Sequence, residues 1–112
     1  FEALASEATG RLSEFNSQNL ANTAWAFAKA GHRAPELFAM LAVEAMKRLG
    51  EFNSQNLANT AWAFATVGQN APELFTALAV EAAERLREFD SQELTNTAWA
   101  FATSSHDSPE LF

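Results

Sequence analysis

Cysteine is absent from the 112 residues, so neither a disulfide nor a thiolate metal site is available. Cations are scarce as well: seven Lys and Arg stand against fourteen Asp and Glu, a net charge of −7. Affinity for nucleic acid comes largely from neutralising phosphates with Lys and Arg, so this balance argues against strong non-specific binding to nucleic acid. The deficit is uneven. Residues 1–37 and 38–74 each carry −1, whereas residues 75–112 carry −5. No apolar run approaches the ~18 residues of a membrane span, which leaves no expectation of membrane insertion. Position 1 is Phe1, not methionine, and no signal peptide precedes the first helix, so the chain reads as an internal piece of a longer array.

Glycine and proline number only four and three. There is no Gly-rich phosphate loop, and the two histidines, His32 and His106, are isolated. His106, Asp107 and Ser108 are merely adjacent in sequence, which is not a triad. No catalytic residue, metal site, cofactor or small-molecule substrate is expected, and the chain reads as a non-enzyme.

What fills the chain is repetition. Phe15 to Ala28 recurs letter for letter as Phe52 to Ala65, and again with small changes as Phe89 to Ala102, a period of 37 residues. A fixed period of this size marks stacked helical units. The reading is one segment over 1–112: the second helix of a preceding unit at 1–14, units at 15–51 and 52–88, and a partial unit at 89–112. Within a unit the first helix opens at Ser17, Ser54 and Ser91, each read as an N-cap. It closes at Gly31 and Gly68, with a looser end at Ser105. The second helix opens at Pro35, Pro72 and Pro109, where proline's missing N–H has no partner to lose.

On a wheel of 100° per residue, Leu20, Ala24, Phe27 and Ala28 share one arc, with Ala21 and Trp25 on its flank. Leu37, Phe38, Leu41, Ala45 and Leu49 form the facing stripe of the second helix. Two such stripes make an antiparallel hairpin too small to bury its own core, so neighbours must complete it. The expected fold is all-α, an α-solenoid of helix-turn-helix repeats. Trp25, Trp62 and Trp99 could stack on bases, but from the edge of the apolar arc they are expected instead to wedge between hairpins. Glu7 with Arg11, Glu44 with Arg48 and Glu81 with Arg85 read as solvated i, i+4 pairs.

Opposite the apolar arc, Gln18, Asn22 and Lys29 cluster at about 160–200° from Leu20. Gln55, Asn59 and Thr66 repeat that ridge, as do Gln92, Asn96 and Thr103. Amides present a donor and an acceptor together, as a reader of nucleobase edges requires. The plainer reading makes them solvated surface, or partners of backbone groups between units. Lys29, His32 and Arg33 form the only basic cluster beside the ridge.

The stretch from Phe15 to Ala28, followed by Gly31, resembles the first helix of heptatricopeptide and octotricopeptide repeats, and the likeness covers essentially the whole chain. Those families are organelle-targeted. The resemblance implies an array that binds single-stranded RNA in plastids or mitochondria and acts in RNA processing, stability or translation. It also implies that Asn22, Asn59 and Asn96 read bases. The same Asn in each unit would read one base three times, in a sequence-tolerant or sequence-specific manner, with Lys29 and Arg33 assisting at the backbone. The alternative is a protein–protein interaction scaffold, its ridge holding a peptide or partner helix.

Overall fold

The structure, a computed structural model, describes residues 2–104. All of its regular elements are helical: α1 (Glu2–Thr9), α2 (Ser17–Lys29), α3 (Pro35–Lys47), α4 (Ser54–Val67), α5 (Pro72–Glu84) and α6 (Ser91–Thr103). A single 3-10 turn follows each second helix, at Leu12–Glu14, Leu49–Glu51 and Leu86–Glu88. Leu49 therefore closes the core from a 3-10 turn, not from the end of α3. Phe1, and the expectations placed on Ser105 and Pro109, lie outside the described residues.

The helix starts differ from the expected caps by one residue. Asn16, Asn53 and Asp90 are the N-caps, and Ser17, Ser54 and Ser91 are the first helical residues. Each cap closes a reciprocal box. The Asn16 side chain accepts from the Asn19 N–H at 2.7 Å, while the Asn16 N–H donates to Asn19 Oδ1 at 3.1 Å. Asn53 with Asn56 and Asp90 with Glu93 repeat the arrangement. The box forms one residue before each serine, where Asn16, Asn53 and Asp90 hold the extended backbone of an N-cap and an N3 Asn or Glu reaches back.

The first-helix ends behave as glycine predicts. Gly31 and Gly68 take φ of 70° and 72°, the left-handed region. The next residue donates back across the turn, His32 N to Phe27 O and Gln69 N to Phe64 O, both at 3.0 Å, which satisfies carbonyls that the helix leaves open. Arg33 bridges two units there, its Nε donating to Val67 O at 3.0 Å.

The most extensive packing is between first helices: α2 lies against α4, and α4 against α6. The second helices form the other layer, α1 touching α3 and α3 touching α5. Edge-to-face ring pairs tie each second helix to the next first helix, Phe38 with Phe64 at 4.9 Å and Phe75 with Phe101 at 5.2 Å between centroids. Leu94, the counterpart of the buried Leu20 and Leu57, is 42% exposed, because no described helix packs over it. The body measures 38 × 25 × 23 Å with a radius of gyration of 12.8 Å. At this length the helices close into a compact globule, not an elongated rod.

One pair read as solvated is structural. Arg48 bonds Glu44 Oε2 at 3.0 Å, donates to Phe15 O at the start of its own unit and, at 3.3 Å, reaches Leu12 O of the preceding one. It thereby ties α3 to the 3-10 turn of the unit before and to the residue that closes that turn. Arg11 makes only exposed contacts to Glu7 and Glu14. Burial alone would raise the Glu44 carboxyl, but the Arg48 hydrogen bond and the nearby Lys47 outweigh it and hold the group below the usual carboxylate value.

Arg48→Ala should lower unfolding stability by about 2 kcal/mol in urea titration, since a charged donor is lost together with its bonds to the Phe15 and Leu12 carbonyls. Arg11→Ala should cost less than about 1 kcal/mol. Because the Glu44 pKa is lower folded than unfolded, its contribution is present above the unfolded carboxylate range and is lost as pH falls through the folded value. Glu44→Gln should therefore flatten the acid limb of a stability–pH profile below about pH 4.

Candidate nucleic-acid interface

Burial around the first helices sorts each turn by direction. Asn19 and Ala26 in α2 and Ala30 at its C-cap are exposed, whereas Asn56, Ala63 and Val67 at the same places in α4 are buried. That side faces the preceding unit. Ala21 and Ala28 in α2 and Ala58 and Ala65 in α4 are buried, while Thr95 and Ala102 in α6 are exposed; that side faces the following unit. Small residues on both sides let the helices lie close. The remaining face points outward and holds the ridge.

Gln18, Asn22 and Lys29 are exposed on α2. On α4, Gln55 and Thr66 are exposed and Asn59 is half-buried; on α6, Gln92 and Thr103 are exposed and Asn96 is half-buried. Since α2, α4 and α6 lie side by side, the three sets share one face. Gln92 Nε2 donates to Asn96 Oδ1 at 3.1 Å, so the amides of one unit already orient each other. Arg33, also exposed, spends its Nε on Val67 O and is fixed at the turn beyond the ridge.

The tryptophans depart from expectation. Trp25 and Trp99 are 40% and 45% exposed, and only Trp62 is partly buried against the core. Trp62 and Trp99 rings lie 6.5 Å apart across the boundary between units. Lys29 Nζ sits 5.8 Å from the Trp25 ring centroid, within cation–π range. The wheel held the signal: Trp25 falls about 140° from Leu20, only some 20° from Gln18. Indole size suggested packing, but the angle places it on the edge of the ridge. Sequence reasoning weighed stacking for these rings and ranked packing above it.

Thr97 bonds back to its own helix, donating to Glu93 O at 2.7 Å, while the buried Thr60 Oγ1 has no hydrogen-bond partner.

The face is also free of its own acid. Neither α2 nor α4 contains Asp or Glu, and Glu93 of α6 is occupied in the capping box at Asp90. The described acids otherwise lie on the second helices, in the 3-10 turns and at the cap of α6. A net charge of −7 thus leaves the ridge nearly neutral. Among the described residues no three His, Asp or Glu side chains group to hold a metal, and no helix is long and apolar enough to cross a membrane.

The geometry defines a class: an all-helical repeat chain presenting amides and indoles on one face, with nearly all of its described acids kept to the other layer. Comparison with known families assigns it further. The family described as RNA-editing substrate-binding complex 6 protein matches residues 1–112, and the chain belongs to that family.

Asn22→Ala and Trp25→Leu should each change unfolding stability by less than about 0.5 kcal/mol, as exposed residues do. Phe64→Ala, at a fully buried ring, should cost about 3–5 kcal/mol. Thermal or urea unfolding of the three variants checks the division between face and core.

Proposed function

We propose that this chain binds single-stranded RNA as a component of an RNA-editing complex, without catalysis, through the ridge formed by Gln18, Asn22, Lys29, Gln55, Asn59, Thr66, Gln92, Asn96 and Thr103, with Arg33 at its border. The observation that carries this reading is the acid-free face built by three adjacent first helices, in a chain whose family is that of the RNA-editing substrate-binding complex 6 protein. In a longer array the 37-residue units would stack as an α-solenoid, and the ridge would extend as a track for an unpaired strand. The likeness to heptatricopeptide and octotricopeptide repeats and the editing context support an organellar setting, of mitochondrial type.

A second reading, a protein-interaction scaffold, draws on a different observation. Met40, Val43 and Met46 on α3 and Val80 on α5 are 41–47% exposed in the layer away from the ridge. A complex needs contacts among its proteins, and exposed methionine suits adaptable apolar docking.

Because only Lys29 and Arg33 stand near the ridge, few counterions are released on binding. The logarithm of RNA affinity should fall with the logarithm of salt at a slope of roughly −1.4, the value for two phosphate contacts to a single strand. Lys29→Ala should make that slope shallower. Asn22→Ala combined with Asn59→Ala should weaken binding equally at every salt concentration. Fluorescence anisotropy with short labelled RNAs measures all three. If no single strand binds at low salt while helical content is intact, the RNA reading fails and the scaffold reading stands.

A further inference from the structure

We propose that Trp25, Trp62 and Trp99 are base-stacking platforms paired with the Asn of the same unit, and that the face selects an unpaired run of adenines, one base per unit. This rests on the RNA-binding reading above and names the bases it takes.

Three observations converge on it. The indoles occupy the same place in each unit, four residues before Lys29, Thr66 or Thr103 and three after Asn22, Asn59 or Asn96. That i, i+3 spacing sets ring and amide beside each other on the helix surface. Trp25 stands 40% exposed although α4 lies on that flank, and Trp99, with no described helix on that flank, stands 45% exposed. The Trp62 and Trp99 rings lie 6.5 Å apart, so the aromatic edge spans the boundary between those two units.

The chemistry then points to the base. Indole offers a large π-face on which any base stacks, and a purine covers more of it than a pyrimidine. A carboxamide matches adenine with two hydrogen bonds, donating to a ring nitrogen and accepting from the exocyclic amine. Guanine presents two acceptors on its Hoogsteen edge and suits Arg or Lys, which recur at no ridge position: Lys29 is replaced by Thr66 and Thr103. All three units carry Asn at the reading position, so the preferred sequence is uniform. Selectivity by stacking and amides, not by phosphate contact, is also the mode open to a chain of net charge −7.

The test compares three labelled nine-nucleotide strands on the full protein by fluorescence anisotropy: oligoadenylate, oligouridylate and an abasic ribose-phosphate. Oligoadenylate should bind at least tenfold more tightly than oligouridylate, and the abasic strand most weakly. Trp25→Leu and Trp99→Leu should each reduce oligoadenylate affinity about tenfold, leaving abasic binding unchanged. Trp25→Phe should retain most of the affinity. Circular dichroism confirms that these exposed substitutions keep the helices. Equal affinity for oligoadenylate and oligouridylate, or tryptophan variants that bind as the parent does, would overturn the stacking inference while RNA binding stood. Failure of every strand to bind would instead remove the RNA reading itself.

Discussion

Close approach of the first helices is the constraint from which the rest of the structure follows. Ala21, Ala28, Ala58 and Ala65 on one side, and Ala63, Val67 and Ala100 on the other, leave room for α2, α4 and α6 to pack along their lengths. A bulkier residue at any of these places would push two helices apart, and overpacked contacts of that kind typically cost 1–3 kcal/mol. With the helices close, the Phe38–Phe64 and Phe75–Phe101 pairs seal the space between layers. The residues left facing outward are then drawn into a single surface. The ridge is a consequence of alanine packing before it is anything functional.

The two layers divide the labour between polarity and charge. Second helices and the turns after them carry most acids and the arginines that answer them, and Arg48 uses its charge to fasten one unit to the one before. First helices carry amides and indoles. A single ion pair on the surface contributes little, but an arginine that also serves backbone carbonyls of a neighbouring unit contributes to order along the array. The acidic balance, which looked opposed to RNA binding when counted over the whole chain, is confined to places from which it does not dominate the ridge.

Helix positions were legible because their signals are local. Proline at 35 and 72 and glycine at 31 and 68 act through their own backbone, so their consequences were plain from the sequence. Caps were displaced by one residue because Ser17 and Asn16 are both good capping types, and only the reciprocal bond to Asn19 decides between them. Trp25 was misjudged for a comparable reason: its size argued for packing, its angle for the ridge, and the neighbouring helix settled how much of the ring stayed open. Arg48 looked like one of three equivalent i, i+4 pairs, yet its reach to Leu12 spans a unit boundary that no helical wheel contains.

By itself the sequence determined the 37-residue period, the all-helical elements, the apolar stripes and the amide at each Asn22-type position, since these depend on neighbours within a turn or two of one helix. The tertiary structure alone decided which flank of each first helix is covered, how far the indoles open, and which charged side chains serve as fasteners. Those outcomes depend on contacts between units, where residues about 33 to 37 apart in sequence meet. Near-identical letters therefore acquire different burial, as Asn19 and Asn56 do, solely from whether another helix lies beside them.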